Sequence, residues 1–130
     1  MSISRQDLKA ILVFAIHLSK VDSDFSLQEK KMLKRYADTI GLQEEERAEL
    51  VGLGGSLDQD ADALSSNEAK ELLLKTLCAV SFVDGNTTDD EVDFIQKVQL
   101  KLGIDYPLPV KADWGAFEEE VFTTLEEVCT

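Results

Sequence analysis

The sequence predicts an all-α fold of about seven helices, built as two pseudo-symmetric helical hairpins packed as a bundle. Three observations predict it. Apolar residues recur at spacings of three and four through most of the chain, and no segment reads convincingly as a strand. Residues 3–42 align without gaps on residues 65–104 when the chain is slid against itself by 62 positions. Each copy also ends its second helix on a glycine, Gly41 and Gly103.

In the repeat register Ser4 falls on Ser66, Leu12 on Leu74, Ser19 on Ser81, Val21 on Val83, Asp22 on Asp84, Glu29 on Glu91 and Gly41 on Gly103. Turn residues and core residues agree together, as duplication of one supersecondary unit requires. The first helix starts near Ser4, where Ser4-x-x-Asp7 is a weak cap, and runs to about Lys20. Its middle, Ala10 to Leu18, is apolar on nearly every side, which marks a central, buried helix. The same run behind Arg5 and Lys9 looks like a short signal-peptide core. Asp7 lies in its basic region and no small-x-small site follows, so it is expected to be a helix of the mature protein.

The second helix opens at Ser26-x-x-Glu29, a capping box, and carries the stripe Leu33, Tyr36, Ala37, Ile40. Gly41 stops it. Between the copies, Glu44, Glu45 and Glu46 favour a helix start through the macrodipole, and a short helix is expected to continue to Leu53. Gly54-Gly55 breaks it, and Asp58, Asp60 and Asp62 sit in a further turn or two. Ser65-x-x-Glu68 is expected to cap the next long helix, which holds Leu72, Leu73, Leu74, Leu77, Val80, Phe82 and Val83. Thr88-x-x-Glu91 opens its partner, with the stripe Val92, Ile95, Val98, Leu102 and the stop at Gly103. Pro107 and Pro109 make residues 104–109 extended. A last helix is expected from near Asp113, with Trp114, Phe117, Val121, Leu125 and Val128 on one face. The expected organisation is one domain, 1–130: repeat 1 about 3–42, linker helices 43–64, repeat 2 about 65–104, and a C-terminal helix about 113–129.

The chain carries 13 Lys+Arg against 26 Asp+Glu, a net charge of −13. Such a surface repels phosphate backbones and anionic headgroups, so nucleic acid is not an expected partner. No apolar run reaches the roughly 18–20 residues that span a bilayer, so direct membrane insertion is not expected. Acidic charge favours cations and basic partners instead. Cys78 and Cys129 form no CxxC and no Cys/His metal spacing, which fits free thiols in a reducing, cytoplasmic setting.

The loop ahead of the second helix in each copy reads Asp-x-[Asp/Asn]-x-[Ser/Thr]-x-x-Glu: Asp22, Asp24, Ser26, Glu29, and Asp84, Asn86, Thr88, Glu91. Carboxylate and amide oxygens suit a hard divalent cation, calcium or magnesium. The loops are not EF-hands. Their Glu stands at position 8 rather than 12, and Leu27 or Asp89 occupies the position where an EF-hand needs glycine. One loop supplies about three or four oxygens against the 6–8 that calcium takes, so a good site needs waters or both loops together. The other reading is structural: Ser26/Glu29 and Thr88/Glu91 act as reciprocal helix caps, and Asp22 and Asp84 close Asx turns.

Elsewhere the bland reading leads. His17, the single histidine, lies on an apolar helix with no His or Cys at i+3 or i+4 and reads as a packed residue. Cys78 reads as a buried, inert thiol and Cys129 as a free one. Lys30, Lys31, Lys34 and Arg35 form a basic patch, either a solvated face or a dock for an acidic neighbour, a second copy included. Glu118, Glu119, Glu120, Glu126 and Glu127 make an acidic last helix, read as a solvated face. Nothing suggests a cleft for paired-carboxylate chemistry, so no catalytic residue and no enzyme are expected.

The run Phe82-Val83-Asp84-Gly85-Asn86-Thr87-Thr88-Asp89-Asp90-Glu91, followed by Leu102-Gly103-Ile104, resembles the signature of the TerB-like domain of tellurite-resistance proteins. The related N-terminal domain of the DjlA co-chaperone shares that signature. Val21 to Glu29, with Ile40-Gly41-Leu42, resembles it again, Ser23 standing in place of the glycine. The resemblance covers roughly residues 5–129. It implies an all-helical domain and a divalent-cation site at Asp22, Asp24, Glu29, Asp84, Asn86 and Glu91. It also implies a link to tellurite and stress response, and a protein partner, membrane-associated in some relatives. The chain lacks the His-Pro-Asp tripeptide of a J-domain, so it is not a co-chaperone by itself.

Overall fold

The computed structural model describes residues 3–20, 27–45, 64, 66–82, 89–103 and 114–129. Five helices lie there: α1 (Arg5–Lys20), α2 (Leu27–Thr39), α3 (Asn67–Phe82), α4 (Asp89–Leu102) and α5 (Ala116–Cys129). No strand occurs among the described residues, as the all-α reading expects. Glu44 and Glu45 are helical, and the rest of the expected linker helices and the extended stretch 104–109 lie outside the described residues, Leu64 apart.

The helices begin where the chain supplies caps. Ser4 and Asp7 form a complete reciprocal box at the start of α1. The Asp7 amide donates to Ser4 Oγ at 3.1 Å, and the Ser4 amide donates to Asp7 Oδ2 at 2.9 Å. Ser66 caps α3, its Oγ accepting the Ala69 amide at 3.2 Å; the expected cap Ser65 lies outside the described residues. Ser66 is the residue that stands opposite Ser4 in the repeat register, so the equivalence predicts this cap better than the Ser-x-x-Glu pattern does. Its third position is Ala69, which cannot reach back as Asp7 does.

The ends of α2 and α4 are also equivalent. Gly41 (φ 74°) and Gly103 (φ 66°) both take the left-handed conformation. At Gly41 the motif is of the Schellman type: the Leu42 amide donates to Ala37 O at 3.0 Å and the Gly41 amide to Asp38 O at 3.1 Å. The Gly103 amide is shared between Gln99 O and Leu100 O, both at 3.3 Å.

α1 and α3 occupy the middle. Ile11, Phe14, Ala15 and Leu18 of α1 and Ala69, Leu73, Leu74, Leu77 and Cys78 of α3 are wholly buried. Each large apolar side chain so placed contributes about 1.5–3 kcal/mol of burial free energy. α1 packs against α3, α2 and α4; α3 packs in turn against α4, α2 and α5. The stripes read from the sequence face this core: Leu33, Tyr36 and Ala37 on α2 with Ile40 in the turn after it, and Ile95, Val98 and Leu102 on α4, where Val92, the first of that stripe, is only partly buried.

α5 seats on α3 and on α2. It starts at Ala116, later than the expected Asp113, because Trp114 is buried in a turn ahead of it, with the Phe117 amide donating to Trp114 O at 3.1 Å. Gly115 follows Trp114, and a Cβ there would lie 3.2 Å from the Phe82 ring, so the missing side chain is what admits that contact.

One long-range hydrogen bond ties the first pair together. The Tyr36 hydroxyl donates to Leu8 O at 2.8 Å, buried, across 28 residues of chain. Tyr36→Phe is expected to cost about 0.5–1.5 kcal/mol of unfolding free energy in urea, the net worth of one such bond. Gly103→Ala is expected to cost roughly 1 kcal/mol through its positive φ alone, since an added Cβ meets nothing within 4 Å. Gly103→Asn should recover part of that loss, because asparagine tolerates the left-handed region.

Candidate functional site

The six candidate ligands divide between described and undescribed residues. Glu29 and Glu91 are described; Asp22, Asp24, Asp84 and Asn86 fall outside the described residues. Glu29 is the third residue of α2 and Glu91 the third of α4. Both are 3% exposed, although both helices open on exposed residues, Leu27 and Gln28 in one and Asp89 and Asp90 in the other.

Their burial follows from helical spacing. Glu29, Leu33, Tyr36 and Ile40 form one buried row at steps of four, three and four. Glu91, Ile95, Val98 and Leu102 form the same row on α4. Each carboxylate therefore heads a core-facing stripe. Burying a carboxylate is expensive unless it is hydrogen-bonded or paired. A helix N-terminus offsets part of that cost, because its amides and the macrodipole favour negative charge there. Both glutamates take part in further polar interactions. Oε2 of Glu29 is fully buried and accepts no hydrogen bond. Asp7, only 1% exposed, is a third buried carboxylate at the third position of a helix, and its bonds to Ser4 show what such a group does as a cap.

Among the described residues no group of three or more His, Cys, Asp and Glu is arranged to hold a metal ion. The described part of the candidate site thus supplies two buried carboxylates, Glu29 and Glu91.

The remaining singled-out residues fall as follows. His17 is half-buried on α1. Cys78 is free and wholly buried. Desolvation there pushes its thiol up from 9.0 to about 12. Lys30, Lys31, Lys34 and Arg35 are all exposed on α2. Arg35 also joins α2 to α5, with Nη1 3.7 Å from Glu118 Oε1 and its guanidinium 3.8 Å from the centre of the Phe122 ring. The apolar stripe on the last helix does not predict this tie, since Phe122 lies off that stripe. A large aromatic one position from a core residue is the signal that a second face of α5 is covered.

No helix among the described residues is long and apolar enough to cross a membrane.

The Cys78 thiol yields a directional prediction. Its raised pKa favours the protonated thiol in the folded state, so that contribution to stability is complete below pH 9.0 and is lost as pH rises towards about 12. A Cys129→Ser variant, with Cys78 as its single thiol, should react with a thiol reagent at pH 8 at least about 100-fold more slowly folded than in denaturant. Equal rates would contradict the burial.

No family model, no curated protein and no solved structure matches this chain.

Proposed function

We propose that this chain is a non-enzymatic, acidic helical module of the TerB-like kind. In this reading it is a duplicated helical hairpin, acts in the cytoplasm in a stress or tellurite-resistance setting, and takes up a divalent cation, calcium or magnesium, at its two acidic loops. The observation that carries the reading is the matched pair Glu29 and Glu91, equally buried at 3% exposure at equivalent helix starts. Each stands seven residues after the first aspartate of an acidic loop, Asp22 or Asp84. Duplication is supported by helices of equal length in α1 and α3 and by equivalent caps at Ser4 and Ser66 and stops at Gly41 and Gly103.

In this reading Asp22, Asp24 and Glu29 provide oxygens for one loop and Asp84, Asn86 and Glu91 for the other. A bound cation supplies positive charge that neutralises carboxylates otherwise crowded on a chain of net charge −13. Because Glu29 and Glu91 each head a core stripe, neutralisation acts on the seating of α2 and α4 against the central helices. A protein partner, membrane-associated or a second copy, then reads the surface so set.

One observation favours a second reading. Ser4 and Asp7 show a buried third-position carboxylate serving as a helix cap. On that pattern Ser26/Glu29 and Thr88/Glu91 are caps as well, and the domain is a protein-interaction scaffold without a metal.

The two readings separate in a Glu29→Gln/Glu91→Gln variant, because glutamine keeps a capping box but removes the charge a cation needs. On the cation reading, millimolar calcium or magnesium raises the melting temperature of the parent chain. About 2.7 kcal/mol is available at 100-fold excess over Kd. Sodium chloride at matched ionic strength does not reproduce the rise, and the variant loses it. A parent chain that responds to the divalent salts no more than to sodium retires the cation reading in favour of the scaffold.

A further inference from the structure

We propose that this protein forms a two-fold dimer in which the basic face of α2 in each copy docks on the acidic face of α5 in the other. Basic residues are scarce, 13 against 26 acidic, yet α2 carries Lys30, Lys31, Lys34 and Arg35 within two turns, all exposed. Successive residues turn by about 100°, so Leu27, Lys31 and Lys34 share the face opposite the buried row headed by Glu29. Leu27 is 63% exposed on that face, one of two large apolar side chains among the described residues that stand out in solvent. Lysines and arginine spaced three and four apart on one helix repel each other. An opposing acidic surface relieves that repulsion.

Arg35 shows the pairing within one chain. It leans onto α5 against Glu118 and Phe122. Glu119 and Glu126 flank Phe122 at spacings of three and four, so they continue the acidic strip on the Arg35 side of α5, and both are exposed. The basic face and the acidic face therefore lie side by side across the seam where α2 meets α5. A self-complementary patch of this kind is what an isologous contact requires. A two-fold axis along the seam sets Lys31 and Lys34 of each copy over Glu119 and Glu126 of the other, with Leu27 at the margin.

A second copy fits this surface better than an unrelated polyanion does. A polyanion meets the lysines but also meets the adjacent glutamates and a chain of net charge −13. A second copy satisfies both halves of the patch. Its own net charge opposes approach at long range, and salt of about 0.1 M confines that repulsion to roughly 10 Å while leaving close ion pairs in place.

Sedimentation velocity on the full chain tests the proposal, over about 5 to about 300 µM in about 0.1 M salt. A monomer–dimer equilibrium is expected, weakened at least tenfold in about 1 M salt, where the screening length falls to about 3 Å. Lys31→Glu/Lys34→Glu should be monomeric throughout. Lys97→Glu/Lys101→Glu makes the same change of net charge on exposed positions of α4 and should dimerise like the parent. Adding Glu119→Lys/Glu126→Lys to the α2 variant should restore the dimer. A monomeric parent over the whole range, a dimer indifferent to salt, or equal behaviour of the α2 and α4 variants overturns it.

Discussion

Everything in this fold depends on the mutual burial of α1 and α3. Each is apolar around most of its circumference, with residues such as Phe14, Leu18, Leu73 and Leu77 fully removed from solvent. A helix of that kind has no stable place at a surface. The two therefore pack on each other and recruit cover from all sides: α2 and α4 over both, α5 over α3. The covering helices need one apolar row each, which is why α2 and α4 are strongly charged elsewhere and the chain tolerates its acidity.

That arrangement creates the electrostatic tension at the heads of α2 and α4. The row that faces the core begins, in both helices, with a glutamate rather than a leucine. A charged group at the first core position is stabilising only if the helix amides or an added cation compensate it. The capping and cation readings are two answers to the same physical demand. Asp7 meets that demand with a serine three residues earlier.

The fold class was legible because its signals are periodic. The rows 33-36-40 and 95-98-102, the run Ala10 to Leu18 and the stops at Gly41 and Gly103 all stand where spacing and backbone chemistry put them. The Ser66 cap follows from the repeat register, in which Ser66 answers Ser4, rather than from the Ser-x-x-Glu pattern. The start of α5 is not legible in the spacing, because Trp114 continues the apolar pattern while lying in a turn. At the candidate site, sequence showed that Glu29 and Glu91 were equivalent but not that they were buried. That depends on their falling in the same helical row as core residues, a property of packing. Arg35 was read by its charge, and its contact with Phe122 depends on where α5 settles.

The hydrogen bond from Tyr36 to Leu8 has a bearing on topology. The repeat register read from the sequence sets α2 beside α4 as alternative covers for the same first helix. The position equivalent to Tyr36 on α4 is Val98, which has no hydroxyl. The phenol therefore marks the seating of α2 on α1 with a polar bond that α4 cannot reproduce there, since an α4 in that place leaves Leu8 O without this donor. One oxygen atom thus distinguishes α2 from α4 as a cover for α1.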